Sequence, residues 1–425
     1  MIIAVIGAGP AGLMASVRAA ECGAKRVLLF EKNDNPGRKL LMTGNGRCNV
    51  SNSADIRSYP EYYFGNGKFL YKALHAFSPS DLRNFFAACG VQLKEEDGGR
   101  LFPVTDQAKD VLHALLRRSA ELGVEIHTEE PVTDIKTAGD GKVSGVVTAR
   151  TSYDVDACVL TTGGSSWPGT GSTGDGYRLA ARLGHGIVAL KAGLAPLDTI
   201  EAAAQGLQGV ALRNAALRAF SGGNELACTR GDILFTHTGL TGPAVFRISR
   251  VLPVAPEEYG EGNTIVAIDL LPEQNGHVLR ETMTGLLLSN QNRMLINVLK
   301  QFGPESYMAC LMTHSGIERQ MFCRDLKKES REKLLFFMKS FPLTVKKPPS
   351  MAAAMVTAGG VSLKEVDPKT MESKIVPGLF FAGEVLDLDG DTGGFNLQAA
   401  FSTGYAAGTY AAEHQEHTSG GQTNE

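Results

Sequence analysis

The chain has 425 residues, enough for two or three domains, and its 43% hydrophobic and 20% charged residues are typical of a soluble globular protein. Its 42 basic and 45 acidic side chains give a net charge of −3, which disfavours a protein devoted to nucleic acid, so no nucleic-acid partner is expected. No apolar run reaches the roughly 18 residues of a membrane helix, and the N-terminus lacks a signal-peptide pattern, so we expect a cytoplasmic protein without a membrane partner.

The cysteine, histidine and glycine contents indicate which kinds of binding site to expect. The nine histidines and seven scattered cysteines show no CxxC or HExxH spacing, so we expect reduced thiols and no metal site. The 49 glycines exceed the roughly 30 expected from average usage, and they gather at 7–12, 44–46, 163–176 and 383–394. Because glycine lets the backbone approach a ligand closely, four such clusters indicate a large ligand lying along the main chain.

The first half of the chain alternates strands and helices, as in a parallel α/β fold. Residues 2–6 are a continuous apolar strand, 11–22 an Ala-rich helix and 27–30 a second strand, which together predict a βαβ unit. The segment 33–68 is rich in Gly and Asn and is predicted to be a loop. After it we predict a helix, a hairpin, a helix, four strands and a helix, at 78–90, 93–104, 106–122, 124–127, 131–138, 143–149, 157–160 and 176–183.

From about residue 191 the pattern changes to short alternating segments, at 210–220, 225–235 and 264–270, which indicate an antiparallel β unit. A charged helical region over 277–340, a strand at 378–382 and an Ala/Gly-rich helix at 396–413 follow. The predicted organisation is one α/β domain built from residues 1–190 and 346–414, interrupted by a β domain at 191–276 and a helical segment at 277–345. The polar tail 415–425 is predicted to be disordered.

The first strand leads into a glycine-rich turn that fits the dinucleotide-binding fingerprint GxGxxG. In this motif Gly7 makes the tight turn, Gly9 admits a pyrophosphate, and Gly12 lets the next helix, which opens with Pro10 and Ala11, pack closely on the strand. The helix N-terminus adds unpaired N–H groups and positive potential. Other glycine-rich turns also match this short pattern, so the evidence that it binds a dinucleotide comes from the rest of the chain.

The second predicted strand ends at Glu31, 24 residues after Gly7 and close to the spacing of about 20 expected for an acid that binds a ribose. A carboxylate there accepts hydrogen bonds from ribose hydroxyls and repels a 2′-phosphate, so the ligand is FAD or NAD rather than NADP. FAD extends farther than NAD and needs contacts from distant segments. The sequences Thr162-Gly163-Gly164 and Gly383-Glu384 each follow a predicted strand, and a glycine loop opens the last helix, so FAD is favoured.

With these motifs the chain resembles the bacterial FAD flavoproteins related to aminoacetone oxidase and to the dehydro-steroid reductase BaiN. The resemblance rests on six stretches that span nearly the whole chain in order, and the long second and last stretches are the most specific. They are GAGPAGL (7–13), GRKLLMTGNGRCNVSN (37–52), TTGGSSWPGTGSTGDGY (161–177), LFTHTGLTGPAVFRIS (234–249), TAGGV (357–361) and GLFFAGEVLDLDGDTGGFNLQAAFSTGYAAG (378–408).

The resemblance implies a glutathione-reductase-like FAD domain of the Rossmann type, built from both chain ends, with an inserted antiparallel β-barrel-like domain and a helical segment. It also implies a set of cofactor contacts drawn from the glycine clusters, the end of the second strand and the start of the last helix. These are Gly7, Gly9, Pro10, Ala11, Gly12, Glu31, Lys32, Arg38, Lys39, Gly44, Asn45, Gly46, Arg47, Cys48, Asn49, Val132, Thr162, Gly163, Gly164, Gly383, Glu384, Asp387, Gly394, Phe395, Asn396, Leu397 and Gln398. Two family residues are replaced, with Thr43 in place of a common serine and Phe395 in place of a common tyrosine, so no catalytic phenol is expected at position 395.

Members of this family differ in the reaction they catalyse. No second GxGxxG is visible around 150–300, so either NADH or NADPH docks transiently at the flavin, or electrons come from the substrate and leave to oxygen or another acceptor. The leading expectation is an FAD-dependent oxidoreductase that transfers hydride between flavin and a small organic substrate, including NAD(P)H-linked reduction of an unsaturated or keto compound. The alternatives are an aminoacetone-type amine oxidase that uses oxygen and, in another class, a non-catalytic or RNA-modification-associated flavin-binding protein.

Several polar side chains carry more specific hypotheses. Arg38, Lys39 and Arg47 are predicted to offset the charge of pyrophosphate or reduced flavin, with a solvated basic loop as the alternative. Cys48 has no nearby partner for a disulfide and is predicted to be a buried small residue beside the flavin. His237 is the candidate proton donor, with a hydrogen-bonded structural histidine as the alternative.

Some other positions have two interpretations each, and two glycines have a packing role. Trp167, the single tryptophan, either stacks on the substrate or fixes its own loop. Asp387 and Asp389 either bind the ribitol chain or cap turns. Gly404 and Gly408 are four residues apart on the last helix and indicate close packing of that helix on the sheet rather than a membrane dimer.

Overall fold

The architecture is that of a computed structural model, which describes residues 1–201, 206–259 and 263–414. The predicted disordered tail 415–425 lies outside these residues. The strands, in chain order, are β1 (Ile2–Ile6), β2 (Arg26–Phe30), β3 (Ser51–Asn52), β4 (Leu93–Glu96), β5 (Arg100–Pro103), β6 (Glu125–His127), β7 (Val132–Thr137), β8 (Val143–Thr148), β9 (Ser152–Asp154), β10 (Ala157–Leu160), β11 (Ile187–Gly193), β12 (Leu197–Asp198), β13 (Ala211–Ser221), β14 (Asn224–Phe235), β15 (Gly239–Thr241), β16 (Thr264–Asp269), β17 (Phe341–Thr344), β18 (Val356–Val361) and β19 (Leu379–Phe381).

The α-helices lie between these strands and after the last of them. They are α1 (Pro10–Glu21), α2 (Arg38–Met42), α3 (Tyr71–Ala76), α4 (Pro79–Ala88), α5 (Ala108–Glu121), α6 (Asp175–Arg182), α7 (Pro243–Ser249), α8 (Gly276–Ser289), α9 (Leu295–Leu299), α10 (Glu305–His314), α11 (Lys328–Lys339) and α12 (Phe395–Glu413). The chain forms two units, one of Met1–Lys191 with the residues from Val356 onward, and the other of Ala192–Met355.

The first unit is built on a five-stranded parallel sheet in the order β19-β10-β1-β2-β6. Its central strand β1 has Ala4 opposite Leu28 on one side and Cys158 on the other. Apart from the edge strand β6, the strands are nearly continuous apolar runs because the core covers both faces of the sheet. All five strands run in one direction, so their carboxyl ends form a single edge, which is where ligands bind in open α/β sheets.

Two helices from opposite ends of the chain, α1 and α12, pack against each other at backbone distance. A Cβ atom added at Gly404 would lie 2.4 Å from the carbonyl oxygen of Ala11, and one added at Gly408 would lie 2.4 Å from that of Ala15. The two glycines therefore let one helix approach another helix. This corrects the sequence interpretation, in which they faced the sheet.

The segment 33–68, predicted to be a loop, contains regular structure. It includes α2, whose Leu40 is buried, and β3, which pairs with β5 and so extends the predicted β4–β5 hairpin to three strands. A second three-stranded antiparallel sheet has the order β7-β8-β9, and β11 pairs with β18. The prediction missed α2 and β3 because elements of five and two residues leave little periodic signal in a sequence.

The second unit contains a six-stranded antiparallel sheet in the order β12-β15-β14-β13-β16-β17. Its first and last strands meet through an antiparallel bridge between Thr199 and Val345, which gives the sheet a barrel-like form. Helices α8 to α11 complete the unit and share its core. The predicted fold class, a Rossmann-type α/β domain from both chain ends with a barrel-like antiparallel domain and a helical segment, is confirmed.

The second unit ends at Met355, whereas the sequence interpretation ended the insert at residue 345. The additional residues belong there because they bond to its first strand region. The Lys346 amide donates to the Asp198 carbonyl at 2.9 Å, and Lys347 forms an ion pair with the Asp198 carboxylate at 2.8 Å. The Met355 amide donates to the Leu194 carbonyl at 3.2 Å.

All seven cysteines are unpaired, and Cys48, Cys158 and Cys323 are buried. Within residues 1–201, 206–259 and 263–414, no three His, Cys, Asp or Glu side chains cluster so as to hold a metal ion. No helix in the part of the chain that the structure describes is long and apolar enough to cross a membrane.

Candidate active site

The glycine-rich turn after β1 is closely packed and accepts only glycine at two positions. Gly7 has φ of 104°, and a Cβ there would lie 2.6 Å from the carbonyl oxygen of Thr161. A Cβ on Gly12 would lie 1.9 Å from the carbonyl oxygen of Gly7. The Thr161 hydroxyl in turn donates to that Gly7 oxygen at 2.8 Å. The turn is thus locked to the end of β10 as well as to α1.

Gly9, the middle glycine, has a different environment. Its φ is −81°, which any residue can adopt, and a Cβ there would meet no atom within 4 Å. Gly9 caps α1, whose first residue is Pro10, and no acidic side chain lies in the first turn. There is therefore open space beside Gly9 at the helix N-terminus, as the predicted pyrophosphate contact requires.

Glu31 lies directly beside this turn, at the carboxyl end of β2. It is only 8% exposed, and one carboxylate oxygen accepts a hydrogen bond from the Ala8 amide at 3.1 Å. The other accepts bonds from the Asn33 amide at 2.9 Å and the Asn33 side chain at 2.7 Å. These bonds fix the orientation of the carboxylate, as its predicted role toward a ribose requires.

The segments next to Glu31 are attached to the same strand end. The Glu130 amide donates to the Glu31 carbonyl at 3.0 Å, which brings Val132, two residues further on, to this region. Lys32 does not project freely toward a ligand, because its ammonium group is bound by the Thr173 hydroxyl and the Asp175 carboxylate. Its predicted cofactor contact therefore stays a prediction, and its observed role is to attach the 163–176 loop.

A hydrogen-bonded network joins three of the glycine-rich segments through Lys39 and Glu384. The Lys39 ammonium group lies 2.6 Å from one carboxylate oxygen of Glu384 and 2.7 Å from the Ser166 hydroxyl. The other carboxylate oxygen accepts bonds from Ser166 at 2.9 Å and from the Thr357 amide at 2.8 Å. Four segments that are far apart in sequence are therefore held together by one ion pair and its hydroxyl partners.

The charge state of Glu384 follows from this environment. Burial disfavours the ionised carboxylate, but the positive charge of Lys39 and the hydrogen bonds from Lys39, Thr357 and Ser166 outweigh it and hold the pKa of Glu384 below its usual value. The carboxylate is ionised at neutral pH, and its oxygens are used by protein donors. The observed role of the Glu384 side chain is to position the loops.

Two glycines let these segments approach each other and α1. A Cβ on Gly164 would lie 2.3 Å from the Thr357 hydroxyl oxygen, and one on Gly383 would lie 2.8 Å from the Cβ of Ala11. A Cβ on Gly163, just before Gly164, would lie 3.3 Å from the Ser172 hydroxyl oxygen. The 162–164 and 383–384 segments thus converge beside the first glycine motif, at the carboxyl edge of the parallel sheet.

The loop from Thr43 to Asn49 has an unusual backbone. Gly44, Asn45 and Gly46 are exposed and have φ of 57°, 58° and 83°, so three successive residues are left-handed. Strained left-handed residues such as Asn45 cluster at ligand sites. The side-chain oxygen of Asn49 is buried and has no hydrogen-bond partner among the described residues, which is consistent with a polar ligand group there.

Three of the predicted contact residues in this region make contacts within the protein, and their predicted contacts with the cofactor stay predictions. Cys48 is fully buried, as the sequence predicts, and burial raises the pKa of its thiol to about 12. Arg47 pairs with Glu96 and Asp106, and Arg38 pairs with Asp34, so both positive charges are already compensated by the protein.

The start of α12 supplies the remaining predicted contacts. A Cβ on Gly394 would lie 2.2 Å from the Ser51 carbonyl oxygen. Phe395 is 3% exposed, and the Asn396 side chain bonds to both the amide and the carbonyl of Gly390 at 2.8 Å. Leu397 is half-buried.

The side chain of Gln398 bonds inside the fold, and its predicted cofactor contact stays a prediction. It is 0% exposed, and its amide group donates to the Phe77 carbonyl at 3.2 Å and to the Ser402 hydroxyl at 2.9 Å. Its oxygen accepts from Ser51 at 2.5 Å. Gln398 therefore anchors the start of α12 to the core.

Three other singled-out residues are placed as follows. Asp387 accepts two hydrogen bonds from the Asn66 side chain, at its carbonyl and at its carboxylate, each 3.0 Å long. Trp167 is 38% exposed with φ of 53°, a strained value for a bulky residue. His237 is exposed in the turn between β14 and β15 of the second unit, and its proposed role as proton donor stays a prediction.

Sequence reasoning missed the hydroxyl groups of Ser166 and Thr357 and the side chain of Asn33. Thr357 accepts bonds from the Ser165 and Ser166 amides at 2.8 and 3.0 Å, and Asn33 joins Glu31 to the Thr170 carbonyl at 3.3 Å. Ser166 and Thr357 lie within two of the six stretches, so their positions were marked. Hydroxyls in glycine-rich loops carry no signal of their own that distinguishes a network from a turn.

Comparison with known proteins identifies the family. The family described as "HI0933-like protein Rossmann domain" matches residues 1–410. The chain belongs to this family. Among its relatives, a 3-dehydro-bile acid delta(4,6)-reductase of Clostridium scindens is 33% identical over 97% of this chain and 99% of its own. A ribosomal RNA dihydrouridine synthase of Haemophilus influenzae is 31% identical over 95% and 96%, and one of Escherichia coli is 30% identical over 95% and 96%.

Solved structures share the fold at low sequence identity. A 3-ketosteroid delta1-dehydrogenase from Sterolibacterium denitrificans has a TM-score of 0.52 at 13% identity, covering 97% of this chain and 99% of that one. A quinol-fumarate reductase has a TM-score of 0.52 at 17% identity, covering 100% of this chain and 72% of that one. The prediction that this HI0933-like protein is an FAD-dependent oxidoreductase is confirmed. No finding supports the expected exclusion of nucleic acid, since two relatives are named for ribosomal RNA.

Proposed function

We propose that this HI0933-like protein reduces a carbon–carbon double bond conjugated to a carbonyl group, using FAD as its hydride carrier. The observation that carries the proposal is the 33% identity to a 3-dehydro-bile acid delta(4,6)-reductase along nearly the full length of both chains. A second class of relatives, the ribosomal RNA dihydrouridine synthases, agrees in chemistry. A 3-oxo bile acid with 4,6 double bonds and a uracil ring both present an alkene next to a carbonyl.

The residues at the sheet edge have separate roles in this proposal. The open N-terminus of α1 beside Gly9 holds the pyrophosphate, and the fixed carboxylate of Glu31 accepts hydrogen bonds from the adenosine ribose. The Lys39–Glu384 network keeps the 38–49, 162–164 and 383–385 segments in register along the cofactor. When bound and reduced, FAD supplies a hydride to the substrate. The N-terminus of α12 favours the negative charge of the reduced pyrimidine ring.

The electron donor is proposed to be NADH or NADPH, which docks transiently and leaves before the substrate binds. The first candidate for the substrate is a small organic molecule. Ribosomal RNA is the second candidate, because two relatives of 30% and 31% identity carry that name. The net charge of −3 favours the first candidate, since RNA binding draws on a basic surface. An oxygen-using amine oxidase remains the alternative that the experiment must exclude.

The experiment separates the two half-reactions. Purified protein is expected to be yellow and to release FAD on denaturation, while release of FMN or NAD would contradict the cofactor assignment. Under anaerobic conditions, loss of flavin absorbance is followed with NADH, NADPH or aminoacetone. The reduced protein is then mixed with a 3-oxo-4,6-diene bile acid, with ribosomal RNA, or with oxygen. We expect bleaching by a nicotinamide and rapid reoxidation by a conjugated carbonyl compound. Bleaching by aminoacetone, with reoxidation by oxygen alone, would refute the proposal.

A further inference from the structure

Three tyrosines close together in sequence surround the first residue of α12. Tyr59 and Tyr62 are the first and last residues of a 3₁₀ turn, and Tyr63 follows it. Tyr62 stacks face to face on Phe395, with ring centroids 4.0 Å apart and planes at 11°. Tyr59 and Tyr63 meet the same ring edge-on, at 5.1 and 6.4 Å. The three rings thus form one aromatic cluster around Phe395, but their hydroxyl groups are in different environments.

Two of these tyrosines have structural roles. Tyr59 is 0% exposed, and its hydroxyl donates to the Asn52 carbonyl at 2.7 Å. Tyr63 is 4% exposed, and its hydroxyl donates to the Phe395 carbonyl at 2.8 Å. Burial raises the pKa of Tyr59 to about 12 and that of Tyr63 above its usual value. Both phenols are therefore kept neutral and hydrogen-bonded inside the fold.

Tyr62 is also held in place by the protein, but its hydroxyl group has a different environment. Its ring is half-buried by the stack on Phe395, and its carbonyl accepts a bond from the Asp391 amide at 2.7 Å. Its hydroxyl has no hydrogen-bond partner among residues 1–201, 206–259 and 263–414. A phenol on a fixed ring whose O–H group makes no protein bond is available to bind or protonate a ligand.

The position of Tyr62 relates it to the proposed flavin site. The segment after it runs along the loop that leads into α12, through a bridge between Tyr63 and Gly390 and a bond from the Phe64 amide to the Asp389 carbonyl at 3.0 Å. Phe395, on which Tyr62 stacks, is the first residue of α12. The helix end assigned above to the pyrimidine side of the flavin is therefore also the end that carries the free phenol.

We propose that Tyr62 is the general acid of the reaction, an assignment that rests on the proposed function. Addition of a hydride from the reduced cofactor to the carbon farther from the carbonyl moves the electron pair of the double bond onto the nearer carbon. That carbon takes the phenolic proton of Tyr62, so one C–H bond forms as the O–H bond breaks. The phenolate regains a proton from water, and a nicotinamide dinucleotide restores the reduced flavin.

The test uses Tyr62→Phe, which keeps the ring and its stack on Phe395 but removes the proton. FAD content, melting temperature and the rate of flavin bleaching by the nicotinamide are expected to match wild type. The shift of the flavin spectrum when substrate binds to the oxidised holoenzyme is expected to remain. Reoxidation of the reduced protein by the conjugated carbonyl compound is expected to slow by about 10²-fold or more.

Matched controls come from the same cluster. Tyr59→Phe and Tyr63→Phe each remove a structural hydrogen bond, so they are expected to lower the melting temperature while reoxidation stays within about threefold of wild type. Tyr62→His and Tyr62→Gln form a second pair, with and without an ionisable donor. The histidine variant is expected to be reoxidised at least about tenfold faster than the glutamine variant.

The outcomes distinguish the two levels of the proposal. If wild-type reduced protein is reoxidised by neither the 3-oxo-4,6-diene bile acid nor ribosomal RNA, the proposed function fails and the role of Tyr62 fails with it. If wild type is reoxidised and Tyr62→Phe reacts within about threefold of it, Tyr62 is not the acid and the proposed function stands. Equal rates for the histidine and glutamine variants would overturn the assignment in the same way.

Discussion

Replacing Gly9 by valine tests the pyrophosphate site without disturbing the fold. In this structure Gly9 has φ of −81°, which any residue can adopt, and an added Cβ meets no protein atom within 4 Å, so the first atom of a valine side chain has room in the protein itself. The same side chain would occupy the space at the N-terminus of α1 where the pyrophosphate must approach the main chain. We therefore expect a folded protein that binds FAD poorly.

The magnitude follows from the two effects separately. Glycine is a better helix cap than an aliphatic residue, so the free energy of unfolding of the cofactor-free protein should fall by about 1 kcal/mol at most. Overpacking against a ligand costs about 1–3 kcal/mol, and a branched side chain directly under a phosphate belongs at the upper end. At about 1.4 kcal/mol for each factor of ten, FAD affinity should fall by about 10²-fold.

The assay is titration of cofactor-free protein with FAD, followed by the quenching of flavin fluorescence, together with urea unfolding of the same samples. Gly139→Val is the matched control, because Gly139 lies in the turn after β7 and an added Cβ there also meets nothing within 4 Å. That variant should bind FAD as wild type does. Unchanged FAD affinity in Gly9→Val would refute the site, and a large loss of cofactor-free stability would refute the steric reasoning.

Two further predictions concern Lys39 and His237. Lys39→Met should lower the free energy of unfolding at pH 7 by about 2 kcal/mol, because it leaves the Glu384 carboxylate without its cation. The pKa of Glu384 is lowered in the folded protein, so this stabilisation is present above its unfolded pKa of about 4.3 and is lost as the pH falls through its folded pKa. Urea unfolding should therefore show the stability of the variant converging on that of wild type below about pH 4. The hypothesis that His237 donates the proton predicts that His237→Ala slows reoxidation by about 10²-fold with unchanged FAD content, whereas the assignment to Tyr62 predicts a change of less than about threefold.

Sequence reasoning succeeded where the signal is local. The turn at Gly7 and Gly12 and the acid at Glu31 could be placed because their roles depend on the strand or helix next to them. The parallel sheet could be predicted because buried parallel strands are continuous apolar runs. In each case, neighbouring residues determine the conformation and the hydrophobic pattern records it.

The rest of the site depends on partners that are distant in sequence. Lys39 and Glu384 are separated by 345 positions, and neither carries a local sign of the other. The charge of Arg47 suggested a ligand contact, but no sign in the sequence indicated that Glu96 and Asp106 pair with it within the protein. Burial is equally nonlocal: Gln398 has the polarity of a binding residue but makes its hydrogen bonds inside the core.

The contact between α1 and α12 has a consequence for the order in which the protein folds during synthesis. Since α1 leaves the ribosome early and α12 late, the surface of α1 that receives Gly404 and Gly408 stays uncovered until nearly the whole chain has been translated. The strand β19 joins the parallel sheet at the same late stage. The second unit is continuous in sequence and has its own core, so it can fold first. The parts of the FAD domain contributed by β19 and α12 are therefore added only after the whole of the second unit has been synthesised.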